Sequence, residues 1–246
     1  MFSSRYRLCD LFGIPIYVGT SFIVLLVMFV LSSGSFSYGF SMALVLAISV
    51  TAHELAHALM ARFFGYRTTD ITLSLIGGCA SMISLPRKAS QEFLVAFAGP
   101  LMSFAVAGLV LLLDILGLPF NNWLWSVLNY AFWMNVMLGG FNLLPGFPMD
   151  GGRIFRSAMR LFLTRVKATQ VAMWVGRVFA ILLGLKGLWS VFNGGAFGFI
   201  TLLIAWMIWK EGFREYQLAL AEEDFRRGTQ DDFNARVSPP PYERSH

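Results

Sequence analysis

Long apolar runs alternate with short polar or glycine-rich segments along residues 1–209. Each run holds few charged residues, and most approach the ~20 residues that an α-helix needs to cross a bilayer. We therefore predict an all-α polytopic membrane protein with six transmembrane helices. The predicted spans are Ile14–Leu31, Phe40–Phe64, Glu92–Ile115, Trp123–Phe141, Val171–Phe192 and Phe197–Trp209.

A short segment after the second predicted span has the period of a β-strand rather than of a helix. Polar and apolar residues alternate over Asp70–Ile76, Gly77-Gly78 offers a turn, and Cys79–Leu85 can return as a second strand. This pattern predicts a short membrane-associated β-hairpin. Because backbone outside a helix cannot pair its polar groups in lipid, we expect the hairpin to line a cavity inside the protein.

Positive charge lies on alternate connectors between the predicted spans. The connectors 32–39, 116–122 and 193–195 carry no charge, whereas the intervening connectors contain arginine and lysine. Because cytoplasmic connectors carry the excess of basic residues, this pattern places both termini in the cytoplasm. The second and fourth spans then both run towards the cytoplasmic side.

The composition agrees with a multi-pass membrane protein. Hydrophobic residues make up 57% of the 246-residue chain and charged residues only 13%, about half the charged fraction of a soluble domain. The net charge of +5 follows from the basic connectors, so we predict the lipid bilayer as a partner and no binding of nucleic acid. The short connectors favour a bacterial or archaeal cell membrane.

Charged residues replace apolar ones after the last predicted span. Residues 210–227 are charged and favour a helix, so we predict a cytoplasmic helical extension there. Residues 228–246 are polar and contain a proline run, which predicts a disordered tail. The predicted organisation is a six-span core over residues 1–209 followed by this extension and tail.

Two histidines and a glutamate lie in the second predicted span, in the sequence His53-Glu54-Leu55-Ala56-His57. At ~3.6 residues per turn, the two imidazoles lie roughly 40° apart on one helix face and can reach one metal ion. Ionisable side chains inside a bilayer are costly unless they are paired, ligated or hydrated. We therefore predict one zinc ion bound by His53 and His57, with Glu54 beside it to hold a water.

The chain breaks after the fourth predicted span, because two prolines and three glycines between Asn142 and Arg153 cannot continue a helix. A catalytic zinc needs a third protein ligand and one open position. Glu92 lies at the entrance of a span and Asp114 at an outer end, whereas Asp150 lies in the break at a depth close to the histidines. We predict Asp150 as the third ligand.

These groups predict metal-assisted hydrolysis of an amide bond. Zinc polarises a carbonyl and activates water, and Glu54 can take the proton of that water and pass it to the leaving amine. The side chain of Asn142 could donate to the substrate backbone or to the oxyanion. A helical substrate must unwind before attack, and an exposed strand edge of the hairpin, over residues 72–84, could hold the unwound segment.

Several motifs together match one known family, and these are His53–His57, Asn142–Gly152, Ala98–Leu101, Gly77-Gly78 and Phe12–Ile16. From about Phe12 to Trp209 the sequence resembles the site-2 protease family of intramembrane zinc metalloproteases, in its compact microbial branch without a PDZ or CBS domain. The resemblance implies that His53, His57 and Asp150 bind zinc. It also implies that Glu54 is the catalytic base and that Asn142 contacts substrate.

The resemblance further implies a partner. The family cleaves a transmembrane segment of a single-span membrane protein, usually after a first cut. A membrane-bound transcriptional regulator or an anti-sigma factor is such a substrate. Ser103 stands where the family often has asparagine, and the oligomeric state stays open.

Three other functions could use a similar zinc motif. A zinc-holding, non-proteolytic membrane scaffold or chaperone is the main alternative, although ligation alone does not need Glu54. A metal-ion transporter needs polar residues along several spans, whereas here they cluster on the predicted cytoplasmic side. A prenyl-type membrane protease shares the zinc motif but does not resemble the Asn142–Asp150 sequence.

Overall fold

The computed structural model describes residues 5–74, 77–82, 86, 88–195 and 198–237. The described chain is mostly helical, with one small sheet. It divides into two units. The first joins the residues up to Leu144 with Met149–Ala158, and the second joins Pro145–Pro148 with the residues from Met159 onward.

A four-stranded sheet lies in the first unit. Its strands, in spatial order, are β1 (Arg5–Leu11), β2 (Ile14–Gly19), β3 (Thr68–Ser74) and β4 (Gly77–Met82). The pairs β1–β2 and β3–β4 are antiparallel, and β2–β3 is parallel. The predicted hairpin is confirmed as β3–β4, although Gly77 and Gly78 begin β4 instead of forming the turn. Residues 83–85 of the predicted second strand lie outside the described residues.

The first predicted span, Ile14–Leu31, begins too early in the chain. Its first residues form strand β2 instead of a helix, so this predicted boundary is wrong. Phe12 and Gly13 have φ values of +52° and +77° and turn the chain back from β1. Alternate side chains of β2 then point into the core, where Ile16 is fully buried. Only Thr20–Ser32 is helical (α1), and its 13 residues are fewer than the ~20 that a crossing needs.

The core of the first unit lies between the sheet and two helices, α1 and α2 (Phe36–Phe63). Its buried members are Ile14, Ile16, Phe22, Leu46, Val50, Ala58, Ile71 and Leu73. Burial of one large aliphatic side chain contributes roughly 1.5–3 kcal/mol. The sheet therefore holds α2, the helix that carries the two histidines, in a fixed position within this unit.

Three helices within the described ranges are long and apolar enough to cross a membrane. They are α2, α3 (Ala89–Ile115) and α6 (Arg165–Phe192). The prediction of six spans is therefore not confirmed. Helices α4 (Asn122–Asn142) and α7 (Gly198–Val237) are also long, but no described stretch of either meets the combined requirement of length, hydropathy and low charge.

Helices α3 and α4 of the first unit pack against each other, and both also pack against α2. After α4 the chain enters the predicted break and then forms α5 (Asp150–Met159), whose first residue is Asp150. The predicted basic connector therefore contains a helix. This arrangement brings the start of α5 to the face of α2 that carries the histidines.

The second unit contains α6 and α7, which pack antiparallel. Gly187 contacts Leu202 towards one end of the pair, and Arg165 forms an ion pair with Glu222 at 3.2 Å towards the other. Helix α7 includes residues 198–209 of the last predicted span and the predicted extension over 210–227, and residue 197 lies outside the described residues. It continues to Val237, so the first part of the predicted disordered tail is helical, and residues 238–246 lie outside the described residues.

Candidate metal centre

His53 and His57 lie one turn apart on α2 and face the same side of the helix. Both are buried, with 2% and 7% of their surface exposed, and their ring centroids are 4.9 Å apart. The spacing of four residues produces this arrangement, because side chains at i and i+4 lie on one helix face. The pair therefore presents two imidazole nitrogens to one point.

Asp150 supplies a carboxylate at that point. Its Oδ2 atom lies 3.1 Å from the Nε2 atom of His53 and 3.1 Å from that of His57. One ligand atom from each residue lies within 4.8 Å of the others, and the three residues form a group that could hold a metal ion. The structure thus brings together the three residues that the sequence predicted as ligands.

Hydrogen bonds to acceptors on α3 fix the orientation of the two imidazoles. The Nδ1 atom of His57 lies 2.7 Å from the carbonyl oxygen of Val95, and that oxygen can only accept. His57 therefore carries its proton on Nδ1, which leaves the Nε2 lone pair free for a metal. The Nδ1 atom of His53 lies 2.9 Å from the Oγ atom of Ser103, which can accept in the same way.

Gly99 of α3 leaves space beside both Nε2 atoms. A Cβ atom at this position would overlap Nε2 of His57 and lie 2.6 Å from Nε2 of His53. Because Gly99 has no side chain, the space next to the two Nε2 atoms stays open. Two nitrogens, one oxygen and this open space fit a catalytic zinc, which takes three protein ligands and keeps a fourth position open.

Gly151 fixes the position of Asp150 relative to α4. A Cβ atom on Gly151 would overlap the carbonyl oxygens of Leu143 and Leu144, so α5 starts in direct contact with the chain that ends α4. The Oδ2 atom of Asp150 faces the Nε2 atoms of both histidines, so its carboxylate lies where a shared metal ion would bind.

Glu54 lies beside the cluster and is half-buried. Its carboxylate interacts electrostatically with His57, His53, Asp150 and Arg153. Within the described ranges, Glu54 makes no hydrogen bond or ion pair. A carboxylate that is close to the ligands but does not bind another group can exchange a proton with water.

Asn142 lies at the end of α4, and its Nδ2 atom donates to the carbonyl oxygen of Leu138 at 3.0 Å. The structure does not join Asn142 to the cluster by any hydrogen bond among the described residues. One amide hydrogen of Asn142 is therefore used by its own helix. A contact with substrate would use the second hydrogen or the carbonyl oxygen.

Sequence reasoning missed two features of the site. The sequence distinguishes Ser103 only by its difference from asparagine, and the contact of Ser103 with His53 depends on the packing of α3 against α2. The sequence presents Glu92 only as an alternative ligand, but Glu92 is buried and pairs with Arg156 of α5, with its Oε1 atom 2.7 Å from Nε and 2.6 Å from a terminal nitrogen. Spacing in the sequence alone does not indicate either contact.

The chain is similar to known proteins in family, sequence and structure. The model of peptidase family M50 matches residues 41–118 and 117–184. A zinc metalloprotease of Methanocaldococcus jannaschii is 34% identical over 89% of this chain and 63% of its own length. A candidate zinc metalloprotease of Synechocystis is 32% identical over 94% of this chain and 64% of its own length. The chain thus spans less than two thirds of these two relatives.

A solved structure is also similar. The site-2 protease from Methanocaldococcus jannaschii superposes with a TM-score of 0.63 at 30% sequence identity. The match covers 87% of this chain and 95% of that one. The likeness therefore extends over most of both folds.

Proposed function

The chain belongs to peptidase family M50, and we propose that it is an intramembrane zinc metalloendopeptidase. Its substrate would be another membrane protein, cut at a peptide bond in or near a transmembrane segment. One observation carries the proposal. A carboxylate oxygen lies 3.1 Å from two imidazole nitrogens on a buried face of a helix that is long and apolar enough to span a bilayer.

His53, His57 and Asp150 are proposed as the ligands of one zinc ion. The hydrogen bonds that Nδ1 of His57 and of His53 donate to Val95 and Ser103 support this role because they leave Nε2 of each ring free to bind metal. When bound, zinc supplies Lewis-acid polarisation of the scissile carbonyl and lowers the pKa of water. The space beside Gly99 leaves room for the fourth position.

Glu54 is proposed as the general base and acid. Its carboxylate accepts a proton from the attacking water and delivers it to the leaving amine, so that one group serves both halves of the reaction. Its electrostatic contact with the three proposed ligands and its lack of a hydrogen bond within the described chain support this role. Arg153 contributes a positive charge on the same side.

The sheet offers a place for an unwound substrate. Strand β4 lies at one edge of the sheet, and an edge strand has backbone groups that can pair with an added strand. We propose that the substrate segment adds to β4 and that Asn142 contacts its backbone. A single-span membrane protein suits this mode, and a membrane-bound transcriptional regulator or anti-sigma factor would be released by such a cut.

The orientation in the membrane is also a proposal. The basic connectors support an orientation with both termini in the cytoplasm, and the metal centre would then lie in the cytoplasmic half of α2. In the six-span arrangement, α1, α4 and the first part of α7 would lie in the membrane beside the three longer apolar helices.

The test is the Glu54→Gln variant, purified in detergent and assayed on a single-span reporter protein. We expect one zinc per chain, as in the wild type, and a fall in cleavage rate of at least ~100-fold, the size of a general acid–base contribution. Zinc is measured by elemental analysis and cleavage by the appearance of the reporter fragment.

The matched control is Glu223→Gln, which removes a surface carboxylate of α7 that pairs with Arg227. This variant should cleave at the wild-type rate. Undiminished cleavage by Glu54→Gln would remove Glu54 from the mechanism. Zinc binding without cleavage by the wild type would instead favour a scaffold.

A further inference from the structure

Arg177 of α6 lies among aromatic rings of the second unit. Its Cζ atom is 4.8 Å from the ring centroid of Trp174, 4.6 Å from that of Trp209 and 5.9 Å from that of Phe213. Trp174 belongs to α6, whereas the other two rings belong to α7. The guanidinium is therefore held between the two helices, and we name these four residues the Arg177 clamp.

The charge of Arg177 has no anion within the described part of the chain. Its Nε atom is buried without a hydrogen-bond partner, and no ion pair or hydrogen bond involves its other nitrogens. Arg165 of the same helix differs, because it pairs with Glu222. Aromatic faces attract a cation, but they leave its in-plane N–H donors unsatisfied.

The clamp lies where α7 changes from apolar to charged residues. The apolar run of α7 ends at Trp209, and Lys210 and Glu211 follow at once. Trp174 and Trp209 are 55% and 43% exposed, and partly exposed tryptophans concentrate at the level of lipid headgroups. A cation held between two such tryptophans would come within reach of lipid phosphates once the helices lie in a bilayer.

A second cation stands beside the clamp. The Nζ atom of Lys210 lies 5.0 Å from the ring centroid of Trp206, and Lys210 likewise makes no ion pair with any residue that the structure describes. Two cations that have partly exposed indoles beside them and no ion-pair partner in the described part of the chain form a positive, amphipathic surface. The chemistry that complements it is an anion attached to an apolar body.

We propose that the Arg177 clamp binds the phosphate of an anionic phospholipid. The planar guanidinium can hold two phosphate oxygens through parallel N–H donors, and Lys210 adds a second charge. The exposed faces of Trp174 and Trp206 pack against the glycerol and upper acyl chain. Neither the metal centre nor the cleavage reaction uses this site.

The experiment measures lipid retention by native mass spectrometry of the full chain, equilibrated with equal amounts of phosphatidylglycerol and phosphatidylcholine. The wild type should retain phosphatidylglycerol preferentially. Arg177→Gln should weaken that preference about fivefold, which corresponds to the ~1 kcal/mol of one basic residue at a membrane surface. Arg177→Lys keeps the charge but loses the planar fork, and it should fall between the two.

The matched control is Lys186→Gln. Lys186 is an exposed cation of the same helix, and in the described chain it has no aromatic ring or ion-pair partner. The Lys186→Gln variant loses one positive charge, as Arg177→Gln does, but it should retain phosphatidylglycerol as the wild type does.

Three results would overturn the proposal. The first is a wild type without preference for phosphatidylglycerol, which decides the matter even if Arg177→Gln does not fold. The second is an equal loss in Lys186→Gln, which would show a nonspecific effect of net charge. The third is displacement of the lipid by millimolar inorganic phosphate, which would assign the clamp to free phosphate. Zinc content and cleavage are measured separately, so failure of this proposal leaves the proposed peptidase intact.

Discussion

At the scale of single residues, the orientation of the two imidazole rings depends on α3 as much as on α2. Val95 accepts from His57 through its backbone, so no side-chain substitution removes that bond directly. Ser103 bonds to His53 through a side chain that is 1% exposed. Ser103 is therefore the partner whose contribution mutagenesis can isolate.

Replacing Ser103 with alanine should weaken zinc binding about 10- to 100-fold, the usual effect of removing a partner that orients a ligand. The reason is that Nδ1–H of His53 would lose its acceptor, and the ring would be free to rotate. Competition with a chelating dye gives the zinc dissociation constant. Ser126→Ala removes an exposed hydroxyl that bonds only to its own helix and should bind zinc as the wild type does. Equal affinities in the two variants would exclude an orienting role for Ser103.

The same scale shows what sequence can predict about the site. His53, Glu54 and His57 share one helix, so their relative placement follows from helix geometry alone. Asp150 was predicted from the depth of the break after the fourth span, and the structure brings it to the histidines. Ser103 was not predicted, because its contact depends on the rotation of α3 against α2.

At the scale of elements, α5 is held to α3 by a buried ion pair. Glu92 lies in the first turn of α3, where the helix N-terminus favours a negative charge. Arg156 lies in α5, downstream of Asp150, and both partners are buried. The pair therefore fixes the helix that presents Asp150.

Glu92→Gln should destabilise the protein by about 3–5 kcal/mol, because Arg156 would stay buried without its negatively charged partner. The double variant Glu92→Gln with Arg156→Met should recover part of this loss, since it removes both charges. Thermal unfolding in detergent measures the effect. Glu211→Gln, which breaks an exposed pair with Arg214, should change stability by less than about 1 kcal/mol. A Glu92→Gln protein as stable as Glu211→Gln would contradict this account.

The first predicted span shows why elements are harder to predict than motifs. A largely apolar run from Ile14 is consistent with either a buried strand or a helix. The structure makes its start a strand because Phe12 and Gly13 form a turn and β3 pairs alongside, in parallel. That partner lies after α2 in the chain, so local periodicity could not reveal it.

At the scale of the whole molecule, the membrane class follows from composition, whereas the number of crossings does not. Length and hydropathy support α2, α3 and α6 as spans. Helix α4 is less apolar, and α1 is short, so their places in a bilayer depend on neighbouring helices that a hydropathy pattern does not include. Orientation rests on the basic connectors alone.

Labelling of single cysteines in intact cells tests the orientation. In a background that lacks Cys9 and Cys79, Ser35→Cys lies before α2 and should react with a membrane-impermeant maleimide from outside. Phe162→Cys, an exposed position before α6, should react only after permeabilisation, because it lies within the basic connector between α4 and α6. The opposite pattern would invert the proposed topology.

The central claim is that one zinc ion is held jointly by α2 and the start of α5. Zinc K-edge absorption spectroscopy of the purified wild type and of Asp150→Asn tests it most directly. We predict one zinc per chain with two imidazole nitrogens and a carboxylate oxygen, and at least a tenfold loss of zinc affinity in Asp150→Asn. A wild type that binds no zinc, or an Asp150→Asn variant with unchanged affinity and coordination, would contradict the account.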